Sequence, residues 1–209
     1  MIEKELVRRS PLRILEKSIH GGLGKGNLGV LASRKGVGKT ACLVHIATDK
    51  LFQEKPVIHV SYASRVDYIM GWYEDIFREI ALKRQLKSAL DIHNEIIRNR
   101  VIMNFKQDAA QTGQVLKSIE AMIDCGNFPA DAIIVDGYDF ARSTVEDLQK
   151  FKDFAQRAGV EVWFSASLKS EEPLFDEKGI PIELKDYLDR IDVLITLVYR
   201  DDHIRLSLV

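Results

Sequence analysis

Ser33-Arg34-Lys35-Gly36-Val37-Gly38-Lys39-Thr40-Ala41 sets two glycines, a lysine and a hydroxyl side by side. Gly36 and Gly38 let the backbone coil without Cβ clashes, so that successive N–H groups converge on one anion. Lys39 adds a positive charge for the β- and γ-phosphates of a nucleoside triphosphate, and the Thr40 hydroxyl is a ligand for Mg²⁺. The spacing meets the phosphate-loop (Walker A) pattern G-x-x-x-x-G-K-[ST] except at its first position, where Ser33 replaces Gly. Ser33 is expected to end the preceding strand outside the tight turn, where a small side chain fits. Backbone amides from Ser33 to Ala41 would cradle the phosphates, with the dipole of a helix over Ala41 to Phe52 pointing the same way. Lys39 is the one candidate for a catalytic side chain within this stretch.

A phosphate loop calls for an acid at the end of an apolar strand, holding Mg²⁺ through water opposite Thr40. Ile133-Ile134-Val135-Asp136 supplies it. Magnesium takes most of its octahedron from phosphates and water, so Thr40 and Asp136 suffice as protein ligands. Asp139 reads either as a second acid or as the cap of a loop. Gly24-Lys25-Gly26-Asn27-Leu28-Gly29 spells G-x-G-x-x-G, the dinucleotide fingerprint, yet it precedes a strand where the fingerprint must follow one. Gly36-Val37-Gly38-Lys39-Thr40-Ala41 fits the variant ending in Ala. It leaves an NADP reading open through Arg65, which stands where an acid for the ribose would be.

Positioning these groups requires alternating strands and helices, which the chain supplies from start to finish. Helical stretches are expected over Pro11 to Ile19, Ala41 to Phe52, Val66 to Asn99 as two helices, Gln111 to Cys125, and to Ala158 after a Thr144 cap. A short helix over Leu184 to Ile191 follows. Strands are expected at Leu28 to Ala32, Val57 to Ser61, Val101 to Phe105, Ala132 to Asp136 and Val160 to Ser165. Val193 to Val198 and Ile204 to Leu208 close the chain as a hairpin around Asp201-Asp202. The pattern predicts an α/β fold, a mostly parallel central sheet flanked by helices with a C-terminal β-hairpin, in one domain over residues 1–209.

Bulk properties narrow the function classes. The chain has 209 residues and a formal charge of −1, from 30 basic and 31 acidic side chains, so no global field draws it to nucleic acid or membrane. Its two cysteines, Cys42 and Cys125, and its five histidines show no zinc-ligand spacing. They suit a reducing cytoplasm, and no apolar run has the length of a membrane span. Lys83-Arg84-Gln85-Leu86-Lys87, Arg98-Asn99-Arg100, and Arg8, Arg9 and Arg13 are basic clusters that read either as solvated helix faces or as nucleic-acid contacts. Trp72, Tyr73 and Phe77 recur at helical spacing, as core or subunit contacts do.

Gly21-Gly22-Leu23-Gly24-Lys25-Gly26-Asn27-Leu28-Gly29-Val30-Leu31-Ala32, followed by the phosphate loop, resembles the opening of RecA-superfamily ATPases, nearest to DnaB-type replicative helicases and KaiC-like proteins. The resemblance implies a RecA-like P-loop NTPase core binding ATP and Mg²⁺, with the strand after the Asp136 strand inserted between it and the phosphate-loop strand. Ser165, Ser167 or Lys169 would then stand near the γ-phosphate. It also implies nucleotide at a subunit boundary, hence a homo-oligomer, and in many relatives action on DNA. Three positions depart from it. Ala63 falls where the second strand's water-orienting Glu belongs, and loss of such a group costs about 10²–10⁴-fold in rate. Ser167 takes the place of a γ-phosphate-sensing Gln. No K-x-R finger follows Lys169; Arg190, Arg200 and Arg205 are candidates without a pattern. An intact binding loop beside altered catalytic positions leads to the expectation of a nucleotide-binding protein with weak or absent hydrolysis that controls assembly or a partner. An active DNA-dependent ATPase, its base drawn from Asp67, Glu74, Asp139 or a neighbouring subunit, is the alternative.

Overall fold

Apolar runs without alternation make strands that must be covered on both faces. Val30, Ile58, Ile133, Val135 and Phe164 face one core layer, while Leu31, Val57, Ile134 and Trp163 face the other. The computed structural model describes residue 10 and residues 12–62, 65–86, 88–106, 111–169 and 172–209. Along the chain come α1 (Leu12–Ser18), β1 (Leu28–Arg34), α2 (Lys39–Phe52), β2 (Val57–Ser61), α3 (Val66–Arg84) and α4 (Ala89–Arg98). They are followed by β3 (Arg100–Asn104), α5 (Thr112–Asp124), β4 (Ala132–Tyr138), α6 (Val145–Ala158), β5 (Glu161–Leu168), a 3-10 helix (Ile182–Arg190), β6 (Val193–Arg200) and β7 (His203–Leu208).

The strands form one seven-stranded sheet in the order β3-β2-β4-β5-β1-β6-β7. Every neighbouring pair is parallel except β6 and β7, the closing hairpin. β5 lies between β4 and β1, where the order of the resembling fold would put it. This arrangement gathers the C-terminal ends of β1, β4 and β5 side by side, the usual place for a ligand in an open α/β sheet.

The helices cover the sheet through stripes at helical spacing. α2 buries Leu43, Val44, Ala47 and Leu51 on one face, while α6 buries Leu148, Phe151 and Phe154 on the other. α6 starts where Thr144 predicts it: the Thr144 side chain accepts from Asp147 N and the Asp147 carboxylate from Thr144 N, a reciprocal capping box. Several expected bounds shift. β1 runs on to Arg34, β4 to Tyr138 and β5 to Leu168, which makes Ser33, Asp136 and Ser165 interior strand residues, and the segment expected as a helix from Leu184 is a 3-10 helix that begins at Ile182 after Pro181. Among the described residues no helix is long and apolar enough to cross a membrane.

The G-x-G-x-x-G stretch that precedes β1 has a packing role at its last glycine. A Cβ on Gly29 would stand 2.5 Å from two ring carbons of Trp163, on the neighbouring strand β5. Only a residue without a side chain lets the indole lie flat there.

Candidate functional site

β1 hands the chain to α2 through a turn over residues 35–38, and its shape depends on two glycines. Gly36 and Gly38 have φ of 85° and 108°, a region that L side chains rarely adopt. Gly38 is also the N-cap of α2 and brings no side-chain cap, so the first amides of this 14-residue helix are left to an external acceptor. With the helix dipole behind them, they make an anion site. Ser33 departs from expectation: it lies within β1, paired with Ser167 and 1% exposed. Its hydroxyl takes part in the site, donating to the Arg34 carbonyl at 2.9 Å and accepting from Lys39 Nζ at 3.2 Å.

Lys39 is buried beneath the turn, and its ammonium donates to three oxygens: Ser33 Oγ, the Ser33 carbonyl at 3.1 Å and the Arg34 carbonyl at 3.0 Å. Burial pushes its pKa below the ordinary 10.5, and the negative charge of Asp136 opposes that push. A phosphate entering the turn would meet a cation already held in place by the strand end.

Asp136 reaches the loop because β4 is bulged. The β4–β5 register runs Val135↔Phe164 and then Tyr138↔Ala166, so one extra residue is accommodated at Asp136-Gly137, opposite Ser165. Such bulges re-aim side chains beside functional sites. Here the Asp136 carboxylate accepts from Thr40 Oγ1 at 2.9 Å on one oxygen and from Ser165 Oγ at 2.7 Å on the other. Ser165 Oγ accepts in turn from Gly137 N at 2.7 Å, which locks carboxylate, hydroxyl and bulge into one network. The Thr40–Asp136 separation fits a shared magnesium, because adjacent ligands of an octahedron with bonds near 2.1 Å stand about 3 Å apart. Among the described residues no three His, Cys, Asp or Glu side chains gather into a metal site. An ion at Thr40 and Asp136 would therefore draw its remaining ligands from phosphate and water.

Of the other sequence candidates, Ser167 stays beside the loop in register with Ser33, while the rest have partners of their own or lie on the surface. Asp139 caps the turn after β4, accepting from Ala141 N at 3.1 Å. Asp67 is engaged by Arg65, which also occupies the side chain on which the NADP reading depends. Glu74 pairs with His93 at 2.7 Å between α3 and α4. Ser167 is exposed near the end of β5, and Lys169 follows it on the surface. Arg200 and Arg205 are exposed on the hairpin and Arg190 is half-buried. Of the basic clusters, Lys83 pairs with Glu79, and the Arg100 guanidinium stacks 4.1 Å above the Tyr73 ring. Tyr73 and Phe77 are buried, as core residues are. Ala63, Arg8, Arg9, Pro11 and Lys87 lie outside the described residues.

Two features go beyond the sequence. Ser165, which the resemblance puts near the γ-phosphate, is bonded instead to Asp136 on the neighbouring strand β4, a role that no sequence signal gives it. Beside the loop lies a groove of about 520 Å³, lined by Arg34, Val37, Phe175, Leu197 and Tyr199, with Arg34 bonded to Glu172 at 2.6 Å across its rim. Its only sequence signal is an aromatic, Tyr199, left 63% exposed beside the hairpin turn. No protein-family model matches the chain, and no curated protein matches it either.

Proposed function

We propose that this chain is a RecA-like P-loop protein of the cytoplasm that binds ATP with Mg²⁺ and hydrolyses it slowly or not at all, its nucleotide state serving to control assembly or a partner. The observation that carries the reading is the 2.9 Å bond between Thr40 Oγ1 and Asp136 Oδ2, which joins two motifs 96 residues apart in sequence. The position of β5 between β4 and β1 supports the RecA-like assignment, as do the strand-end resemblances from Gly21 to Thr40.

In this reading the amides of residues 35–41 hold the phosphates, those of Ser33 and Arg34 lying within β1, while Lys39 neutralises the phosphate charge and Thr40 and Asp136 hold the metal, which would stabilise charge on the β- and γ-phosphates. The groove between Val37 and Tyr199 would take the base, with Tyr199 offering a ring face. Slow hydrolysis is the reading that the acids support. Asp67, Glu74 and Asp139 are each engaged with another partner, Arg65, His93 and Ala141 N, and the resemblance aligns Ala63 with the water-orienting Glu. Without such a group the general-base advantage is missing.

Steady-state ATP turnover of the purified chain, with and without single-stranded DNA, tests this. Tight binding with flat turnover in both conditions is expected. Turnover that DNA stimulates selects the alternative, an active DNA-dependent ATPase.

A further inference from the structure

We propose that β7 is a dimerisation edge, pairing antiparallel with β7 of a second copy about a two-fold axis through Leu206. β7 ends the sheet, and among the described residues no strand pairs with its outer side. Natural edges are usually blunted by proline, a bulge, shortness or charged side chains, and here the one strong charge, Arg205, lies on the face opposite Ile204, Leu206 and Leu208. This edge has six residues, regular pairing with β6 throughout, and no proline.

The hydrogen-bond parity of the edge fixes which residues a second copy would meet. Val209 N donates to the Leu194 carbonyl at 3.0 Å, so the odd-numbered residues of β7 point their backbone groups inward to β6. In an antiparallel ladder the alternate residues point theirs outward. The free N–H and C=O groups of this edge therefore belong to Ile204, Leu206 and Leu208. Their side chains share one face of the sheet, that of Ile195 and Leu197, and are 39%, 49% and 49% exposed. Outward hydrogen bonds and exposed apolar side chains thus fall on the same three residues.

A second copy satisfies both at once. With Leu206 opposite Leu206, Ile204 lies opposite Leu208 of the other copy at each end, and all three residues exchange hydrogen bonds as narrow pairs. Their side chains then form one continuous apolar row across the axis. On the other face Arg205 falls opposite Ser207, so like charges are not directly opposed. Two seven-stranded sheets become one of fourteen. The same edge touches the phosphate loop, since Ile204 Cδ1 stands 3.3 Å from where a Gly38 Cβ would be.

Sedimentation equilibrium of the full chain, with and without Leu206→Lys, tests the surface. A dimer whose dissociation constant rises at least tenfold in the variant is expected, because two ammonium groups would meet on the axis. The register is tested by cysteine cross-linking with a short bis-maleimide in a Cys42→Ala, Cys125→Ser background. Leu206→Cys joins copies efficiently, whereas His203→Cys does not, because its two positions are six residues out of register, about 20 Å apart. A monomer at every concentration, a dimer indifferent to Leu206→Lys, open-ended aggregates, or equal cross-linking at 203 and 206 would each overturn the proposal.

Discussion

Gly29→Ala should destabilise the protein far more than a methyl group usually does. The new Cβ would meet Trp163 Cε3 and Cζ3 at 2.5 Å and Cδ2 at 2.9 Å. Carbon contacts relax near 3.5–4 Å, so the indole has to retreat by about 1 Å. It has nowhere easy to go, for Trp163 is 3% exposed and packs against the α2 side of the sheet. Its Nε1 donates to Glu161 Oε1 at 3.3 Å, and that oxygen also pairs with Lys50 at 2.8 Å. Moving the ring therefore disturbs a buried ion pair as well as the packing. Overpacking alone costs about 1–3 kcal/mol, and the added disturbance places the expected loss near the top, about 3 kcal/mol. Urea denaturation followed by circular dichroism measures it. Trp163→Leu opens the space, so Gly29→Ala should cost at least about 1 kcal/mol less in that background than alone, a coupling that only residues in contact show. A loss below about 0.5 kcal/mol, or strict additivity of the two substitutions, would refute the packing argument.

The site yields two further expectations. Asp136→Asn keeps the shape of the side chain but removes the metal's carboxylate, so calorimetric titration should show the Mg²⁺-dependent gain in ATP affinity lost and Mg²⁺-free affinity held within about threefold. Equal losses in both titrations would make Asp136 structural. For Lys39, burial lowers the pKa, so the charge is present below that folded value and is lost as pH rises through it, earlier than the ordinary 10.5. ATP affinity should fall on that alkaline side in the wild type and stay level in Lys39→Arg, whose guanidinium keeps its proton. A flat wild-type profile up to the ordinary lysine range contradicts the role given to Lys39.

Residues close in sequence were the ones that the sequence revealed. The strand, turn and helix from Leu28 to Phe52 follow from a buried apolar run, two glycines and a helical stripe, all local signals. Asp136 is readable because it follows an apolar run, although β4 continues past it to Tyr138. The orientation of Asp136 is not readable, since the bulge at Asp136-Gly137 arises from the register between β4 and β5, a relation between segments that no local pattern encodes. The bond of Ser165 to Asp136 and the exposure of Tyr199 beside the groove are hidden for the same reason: they come from a neighbour 29 residues away in one case and from other segments lining the groove in the other. Ser33 lies one residue inside the strand end because β1 pairing with β5 continues to Arg34↔Leu168, a relation between strands that the motif does not carry. Pro181 fixed where the last helical segment starts, but its tighter 3-10 geometry over Ile182–Arg190 was not written in its spacing.

The account stands or falls on nucleotide binding at the loop between β1 and α2. Isothermal titration of the full chain with MgATP, set beside Lys39→Ala, measures it directly. Lys39 makes three hydrogen bonds under the turn, and replacing them with contacts to phosphate adds a charge-assisted interaction of about 1.5–3 kcal/mol. One-to-one binding by the wild type and an affinity at least tenfold weaker in the folded variant is the expected result. No heat of binding in the wild type, or the same affinity in both proteins, would contradict it.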